Sequence, residues 1–291
     1  MSAPIVVGVD GSASVSTAVE WAAEEAARHR VPLRLVHAYV LPSRGYPEIV
    51  LTGHEVRQAF EQQGNRWLEE AADVARAFAP DVPVETSLVV DRPAAALIAA
   101  SHDASRVVLG SRGLGGFSGL LVGSVAVAVS AHGTSPVVVV RDGFRHDGPV
   151  VVGVDGSPAS EEAVGFAFAE ASLSGAPLTA VIAWTDFLVD SPHHSRFRVD
   201  WSQVEAEQLR LLAERLAGWQ EKYPDVRVER VVRHDRPVRA LLDVAQDARL
   251  LVVGSRGMGG FTGMLLGSTS QALVHHAPCP LAVVRPAVAE R

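Results

Sequence analysis

The chain has 291 residues, 48% of them hydrophobic and 20% charged, which suits one large or two ordinary globular domains. Its net charge of −7 argues against nucleic acid as a partner, and the single cysteine, Cys279, excludes a disulfide framework and a cysteine metal centre. The start, Met1-Ser2-Ala3-Pro4-Ile5, lacks the basic head and long apolar core of a secretory signal; no apolar run approaches the roughly 20 residues that cross a bilayer, so a cytoplasmic protein without a transmembrane segment is expected.

Ile5 to Val9 is a short continuous apolar run, the pattern of a strand buried on both faces. Asp10-Gly11-Ser12 turns the chain, and Ser14 to His29 is alanine-rich, with Val19, Ala22, Ala23 and Ala26 at helical spacing. Leu33 to Val40 reads as the second strand, and Pro42 to Gly53 as a loop. His54 to Ala79 reads as a long helix with Phe60, Trp67, Leu68, Ala71, Ala75 and Phe78 on one stripe, expected to pack against the sheet. A third strand over 84–90, a third helix over 93–101, a fourth strand ending at Leu109, a fourth helix over 125–132 and a fifth strand over 136–140 follow.

The chain then repeats itself. Pro4 to Ser12 matches Pro149 to Ser157 at an offset of 145, and from Asp91-Arg92-Pro93 against Asp235-Arg236-Pro237 onward the offset is 144. A repeat of this length is a whole domain. The expected division is domain 1 over 1–141, a short polar linker over 142–148, and domain 2 over 149–291, with strands near 150–154, 177–184, 227–232, 249–253 and 280–284. Alternating strands and helices predict an α/β fold: in each copy a five-stranded parallel sheet, flavodoxin-like, in the order 3-2-1-4-5 with helices on both faces. Strands one and four are then neighbours whose crossovers leave to opposite faces. Ligands bind at that switch point, at the carboxyl ends of the strands.

Two glycine-rich connections fall at that point. Gly110-Ser111-Arg112-Gly113-Leu114-Gly115-Gly116 leads to Gly123-Ser124-Val125, and Gly254-Ser255-Arg256-Gly257-Met258-Gly259-Gly260 leads to Gly267-Ser268-Thr269, both with the spacing Gly-x2-Gly-x9-Gly-Ser. Glycine permits positive φ and close approach of backbone to a ligand, and amide groups in such turns form anion-binding hollows. The following helix adds unpaired amides and the positive end of its dipole. Ser124 and Ser268 are expected to cap that helix and offer a hydroxyl to a phosphate, and Arg112 and Arg256 to set a positive charge beside the hollow. The competing reading is a long loop whose glycines serve packing alone. Asp10 and Asp155 end the first strand of each copy. Hydrogen bonds to ribose hydroxyls or a Mg²⁺ contact suit them, and so does an Asp-Gly turn that leads into the next helix.

Other chemistry finds little support. Lys222 is the only lysine and stands at an expected helix end, which argues against a Walker-type phosphate lysine or a Schiff base. His37 faces Ile182 in the other copy, His132 and His276 close matching helices, and His193-His194 is a weak metal signal. Cys279 aligns with Ser135, which excludes a repeated cysteine nucleophile. No catalytic residue and no dedicated metal cluster is assigned.

Gly8-Val9-Asp10-Gly11-Ser12, Gly153 to Ser157, both glycine loops and the closing stretch His276 to Val284 resemble a tandem universal stress protein of the ATP-binding branch, over nearly the whole chain. The first copy departs from the family pattern at Ser130 to Pro136, where a cysteine often precedes the proline. The resemblance implies adenine nucleotide alpha hydrolase-like domains. It places a triphosphate on Gly110 to Gly116 with Ser124 and Val125, and on Gly254 to Gly260 with Ser268 and Thr269. It places the adenosine against Gly8, Val9, Asp10 and Ala38, and against Gly153, Val154, Asp155 and Ala183. The cofactor implied is ATP in each copy, with Mg²⁺ held through the phosphates. A homodimer, pairing of the two copies and an unknown protein partner are implied too. The expected function is nucleotide-dependent regulation of a stress response or growth arrest. The alternatives are a slow ATPase or phosphotransferase and a nucleotide-free scaffold.

Overall fold

The computed structural model describes residues 2–41, 53–113, 122–185, 201–259 and 265–286. The chain divides into two compact units, Met1–Gly143 and Phe144–Arg291.

In the first unit the order is β1 (Ile5–Gly8), α1 (Ala13–His29), β2 (Leu33–Tyr39), α2 (Gly53–Phe78), β3 (Val84–Val90), α3 (Pro93–Ala100), β4 (Arg106–Gly110), α4 (Ser124–His132) and β5 (Val137–Val140). All pairings are parallel, in the order β3-β2-β1-β4-β5. β1 sits centrally, with Ile5 opposite Leu33 on one side and Arg106 on the other. Ile5, Val6 and Val7 are wholly buried, so the unbroken apolar run follows from burial on both faces. β3, paired on one side only, instead carries exposed positions, and its Glu85 meets Arg34 of β2 at 3.3 Å.

The second unit repeats the plan: β6 (Val150–Gly153), α5 (Pro158–Ser174), β7 (Leu178–Trp184), α6 (Trp201–Lys222), β8 (Val228–His234), α7 (Pro237–Val244), β9 (Leu250–Gly254), α8 (Ser268–His276) and β10 (Leu281–Val284). Its sheet runs β8-β7-β6-β9-β10, again parallel. The expected doubly wound α/β architecture and strand order therefore hold in both units.

The helix ends show why the chain turns where it does. α5 starts on Ser157, whose hydroxyl accepts the Ser160 amide at 3.2 Å, with Pro158 in the first turn. It ends on Gly175 in the left-handed region. α1 ends on Arg30, also left-handed (φ 53°), whose amide reaches the carbonyls of Ala26 and Ala27.

Three expectations shift. In α2, Leu68, Ala71 and Ala75 are buried, but Phe60 is 40% and Phe78 48% exposed. Phe60 stacks on Tyr39 at 5.7 Å rather than entering the core. A period of 3.6 residues selects a helix face, but it does not say where the sheet beneath that face ends. Strand four continues through its glycine, since Gly110 pairs with Val140. Ser124 and Ser268 do not cap: they are the first helical residues, and Gly123 and Gly267 occupy the cap positions without a side-chain bond. His132, at the end of α4, bonds the Ala128 carbonyl through Nδ1 at 2.9 Å.

Candidate nucleotide site

The turn after the first strand and the loop after the fourth meet, although about a hundred residues of sequence separate them. In the second unit the Oδ1 atom of Asp155 accepts the Ser157 amide at 2.9 Å, closing the turn, and Oδ2 accepts the Met258 amide at 3.1 Å. The Ser157 hydroxyl donates to the Arg256 carbonyl at 3.1 Å. In the first unit Oδ1 of Asp10 accepts the Ser12 amide at 3.0 Å, and the hydroxyls of Ser12 and Ser14 donate to the Arg112 carbonyl. Asp155 is thus both a turn-former and a tether for the loop. We expect Asp155→Asn to keep the turn through its amide oxygen but to set an NH₂ against the Met258 amide. Hydrogen exchange at residues 257–259 should then rise, at a stability cost of about 1 kcal/mol.

Four pairs of glycines serve different ends. Gly11 (φ 77°) and Gly156 (φ 82°) are the ones that need the left-handed region. Gly11 lies under the Trp67 ring and Gly156 under the Arg215 guanidinium, which pairs with Glu161 at 2.6 Å. Gly110 and Gly254 allow the strand end to lie against the start of the next helix: a Cβ would stand 2.6 Å from the Ser14 hydroxyl in one unit and 2.7 Å from the Ala159 carbonyl carbon in the other. Gly113 and Gly257 make room for the aspartate, whose Oδ2 would lie 2.5 Å and 2.4 Å from an added Cβ. Gly123 and Gly267 have ordinary φ values of −70° and −69°. A Cβ there would meet nothing nearer than the Gly113 nitrogen at 3.8 Å, or Cα of Arg256 at 3.4 Å and the Gly257 nitrogen at 3.6 Å. Neither backbone conformation nor packing demands glycine at these two positions; the missing side chain leaves open the space over the loop amides. None of the loop glycines among the described residues has positive φ, contrary to expectation.

In the second unit these elements enclose a cavity of about 400 Å³. One wall is apolar: Val154, Val181, Ala183, Pro237, Leu241 and Val253. The other carries Asp155, Arg256, Gly257 to Gly259 and the start of α8 from Gly267 to Ser270, with Gly153, Gly254 and Ser160 between. The first amides of α8 have no partner within the helix and point along its axis. Ser160 Oγ accepts the Asp155 amide at 3.1 Å, and Ser270 Oγ donates to the Gly254 carbonyl at 2.6 Å, which fixes both rims. An apolar slot at one end and amides plus a guanidinium at the other suit a ligand with a flat apolar part and an anionic tail.

Of the residues named from sequence, Gly153, Val154, Asp155, Ala183, Gly254, Arg256, Gly257, Met258, Gly259, Gly267, Ser268 and Thr269 line the cavity. Ser255 is buried beneath the loop, as Ser111 is in the first unit, and does not line it. Gly260, and in the first unit Leu114, Gly115 and Gly116, lie outside the described residues, as do His193 and His194. In the first unit Val9 and Ala38 are buried, and Gly8 faces Leu97 of α3 as Gly153 faces Leu241 of α7. Sequence reasoning missed Pro237 and Leu241. The repeated Asp-Arg-Pro stretch was the available signal, since a proline that fixes the start of a helix at a strand end also shapes the wall there.

The cations differ between the units. Arg112, expected beside the hollow, pairs with Asp142 at 2.7 Å, and Thr17 holds the other oxygen of that carboxylate at 3.2 Å. Arg256 lines the cavity and has no ion pair among the described residues. Arg285, just past β10, donates to the Leu265 carbonyl at 3.1 Å, while its Nε is buried without a partner among the described residues. Burial, and secondarily the Arg256 charge, push the Arg285 guanidinium below its ordinary value.

Comparison with known proteins agrees with this architecture. A universal stress protein of Mycolicibacterium smegmatis is 42% identical over 294 residues, covering 97% of each chain. One of Mycobacterium tuberculosis is 42% identical over 295 residues, covering 97% of this chain and 96% of its own. The crystal structure of a universal stress protein from Archaeoglobus fulgidus superposes with a TM-score of 0.70 at 20% identity, over 98% of this chain and 99% of that one, which speaks to the fold. No helix among the described residues is long and apolar enough to cross a membrane. The profile of the Universal stress protein family matches residues 1–141 and again 148–285, so the chain belongs to that family, with its domain present twice.

Proposed function

We propose that each unit binds one adenine nucleotide, ATP in the first instance, and that occupancy of the two sites regulates a response to stress or growth arrest through a protein partner. The observation that carries this reading is the geometry at Gly257 and Gly267: the loop amides, the N-terminus of α8 and Arg256 line a cavity of about 400 Å³, and a Cβ added at Gly267 would lie 3.6 Å from the Gly257 nitrogen. The residues fit the ligand. Val154, Val181, Ala183 and Leu241 offer an apolar face to a purine, and amides with a guanidinium offer donors to phosphates. Each oxygen of Asp155 accepts one amide and has a lone pair left for a ribose hydroxyl. Mg²⁺ would arrive with the phosphates. In the first unit Asp10, Gly113 and Gly123 stand in the matching arrangement. Cytoplasmic residence and pairing of two chains belong to the same reading and rest on the resemblance.

The test is to denature freshly purified protein and to identify and count the released nucleotide by chromatography and mass spectrometry. One adenine nucleotide per unit is expected. Protein that releases none, and takes up none when given ATP and Mg²⁺, would make the glycine loops structural and replace this reading with that of a scaffold.

A further inference from the structure

The two units are not equivalent where a phosphate tail would end. In unit 1 the loop arginine, Arg112, is held by Asp142, itself held by Thr17. At the offset of 144 residues Asp142 becomes Pro286, so the second unit lacks that carboxylate, while Arg141 becomes Arg285. Glu162 stands at the position of Thr17 in the second copy, but it is exposed and makes no ion pair with Arg256 among the described residues. Arg256 thus lines the cavity with no ion pair among the described residues, and Arg285 donates to the Leu265 carbonyl two residues before Gly267. At the first site an anion would have to compete with Asp142 for the same guanidinium.

We propose that the two sites differ in their preference for the length of the phosphate tail, with Asp142 and Pro286 as the residues that set the difference: unit 2 favours nucleoside triphosphates over monophosphates more strongly than unit 1. The proposal rests on nucleotide binding at both sites. It follows from charge. A triphosphate reaches the loop arginine with more negative charge than a monophosphate, so masking that arginine penalises the longer tail more. Because the Arg112–Asp142 pair is solvent-exposed, the effect is modest and falls with salt.

Single-site chains separate the two sites: Gly267→Val leaves the first and Gly123→Val leaves the second. Affinities for Mg-ATP and AMP are measured on each by calorimetry at low and high salt. The ATP-to-AMP affinity ratio is expected to be about three- to fivefold larger for the second site at low salt. Asp142→Asn, added to the Gly267→Val chain, should raise ATP affinity about threefold and leave AMP within about twofold. Pro286→Asp, added to the Gly123→Val chain, should shift the ratio the opposite way. Equal ratios at the two sites, or a ratio that Asp142→Asn leaves unchanged, would overturn the inference while nucleotide binding itself stands. A parent chain that binds neither nucleotide would overturn both.

Discussion

Gly123→Val combined with Gly267→Val is expected to yield a folded protein that retains no nucleotide. Both glycines sit at helix cap positions with φ near −70°, which valine adopts without strain. The nearest atoms to an added Cβ lie at contact distance, 3.4 Å and beyond. The branched side chain would instead occupy the space over the amides of residues 113 and 257. Loss of two charge-assisted hydrogen bonds to a phosphate amounts to about 3 kcal/mol or more, so affinity should fall at least about a hundredfold. Circular dichroism and thermal unfolding should match the parent, and equilibrium dialysis with labelled ATP should show no binding. Undiminished binding would mean that ligands do not use this cradle.

Gly254→Val is expected to do the reverse damage, although it lies in the same loop. Here the added Cβ would stand 2.7 Å and 2.8 Å from the carbonyl carbon and oxygen of Ala159. These are backbone atoms at the start of α5, so no rotamer change relieves the contact. α5 must move off the end of β9, which separates the turn carrying Asp155 from the loop carrying Arg256. A cost of about 3 kcal/mol is expected, in the range of severe overpacking, or about 10 °C in the unfolding midpoint of the second unit. Differential scanning calorimetry checks it; Gly110→Val, which meets Ser14 in the first unit, is the matching variant. A Gly254→Val chain as stable as the parent would mean that the strand end and α5 are not packed as closely as the geometry states.

These two results separate roles that the sequence writes with one letter. The pattern Gly-x2-Gly-x9-Gly-Ser marks six positions alike. Gly110 and Gly254 turn out to be packing residues, Gly113 and Gly257 admit an aspartate, and Gly123 and Gly267 are required by neither packing nor backbone conformation. The same holds for the serines that follow the last glycines. Spacing predicts that they cap, yet the cap falls one residue earlier and leaves them as donors at the first helical position.

The sequence by itself determined the duplication, the strand and helix types and the strand order. Each rests on short-range information: a buried parallel strand is an unbroken apolar run, a helix repeats its face every few residues, and a repeated domain repeats its text. It also located the crevice, because right-handed crossovers allow few ways to order five parallel strands. Only the tertiary structure decided which glycine does what, that Pro237 and Leu241 form the wall opposite the loop, that Phe60 and Phe78 fall off the core stripe, and that Arg112 pairs with Asp142 while Arg256 has no ion pair among the described residues. Each of these depends on which atoms from distant parts of the chain come within a few ångströms. Residue type and spacing carry no record of that until the sheet has brought the ends of β1 and β4, or of β6 and β9, side by side.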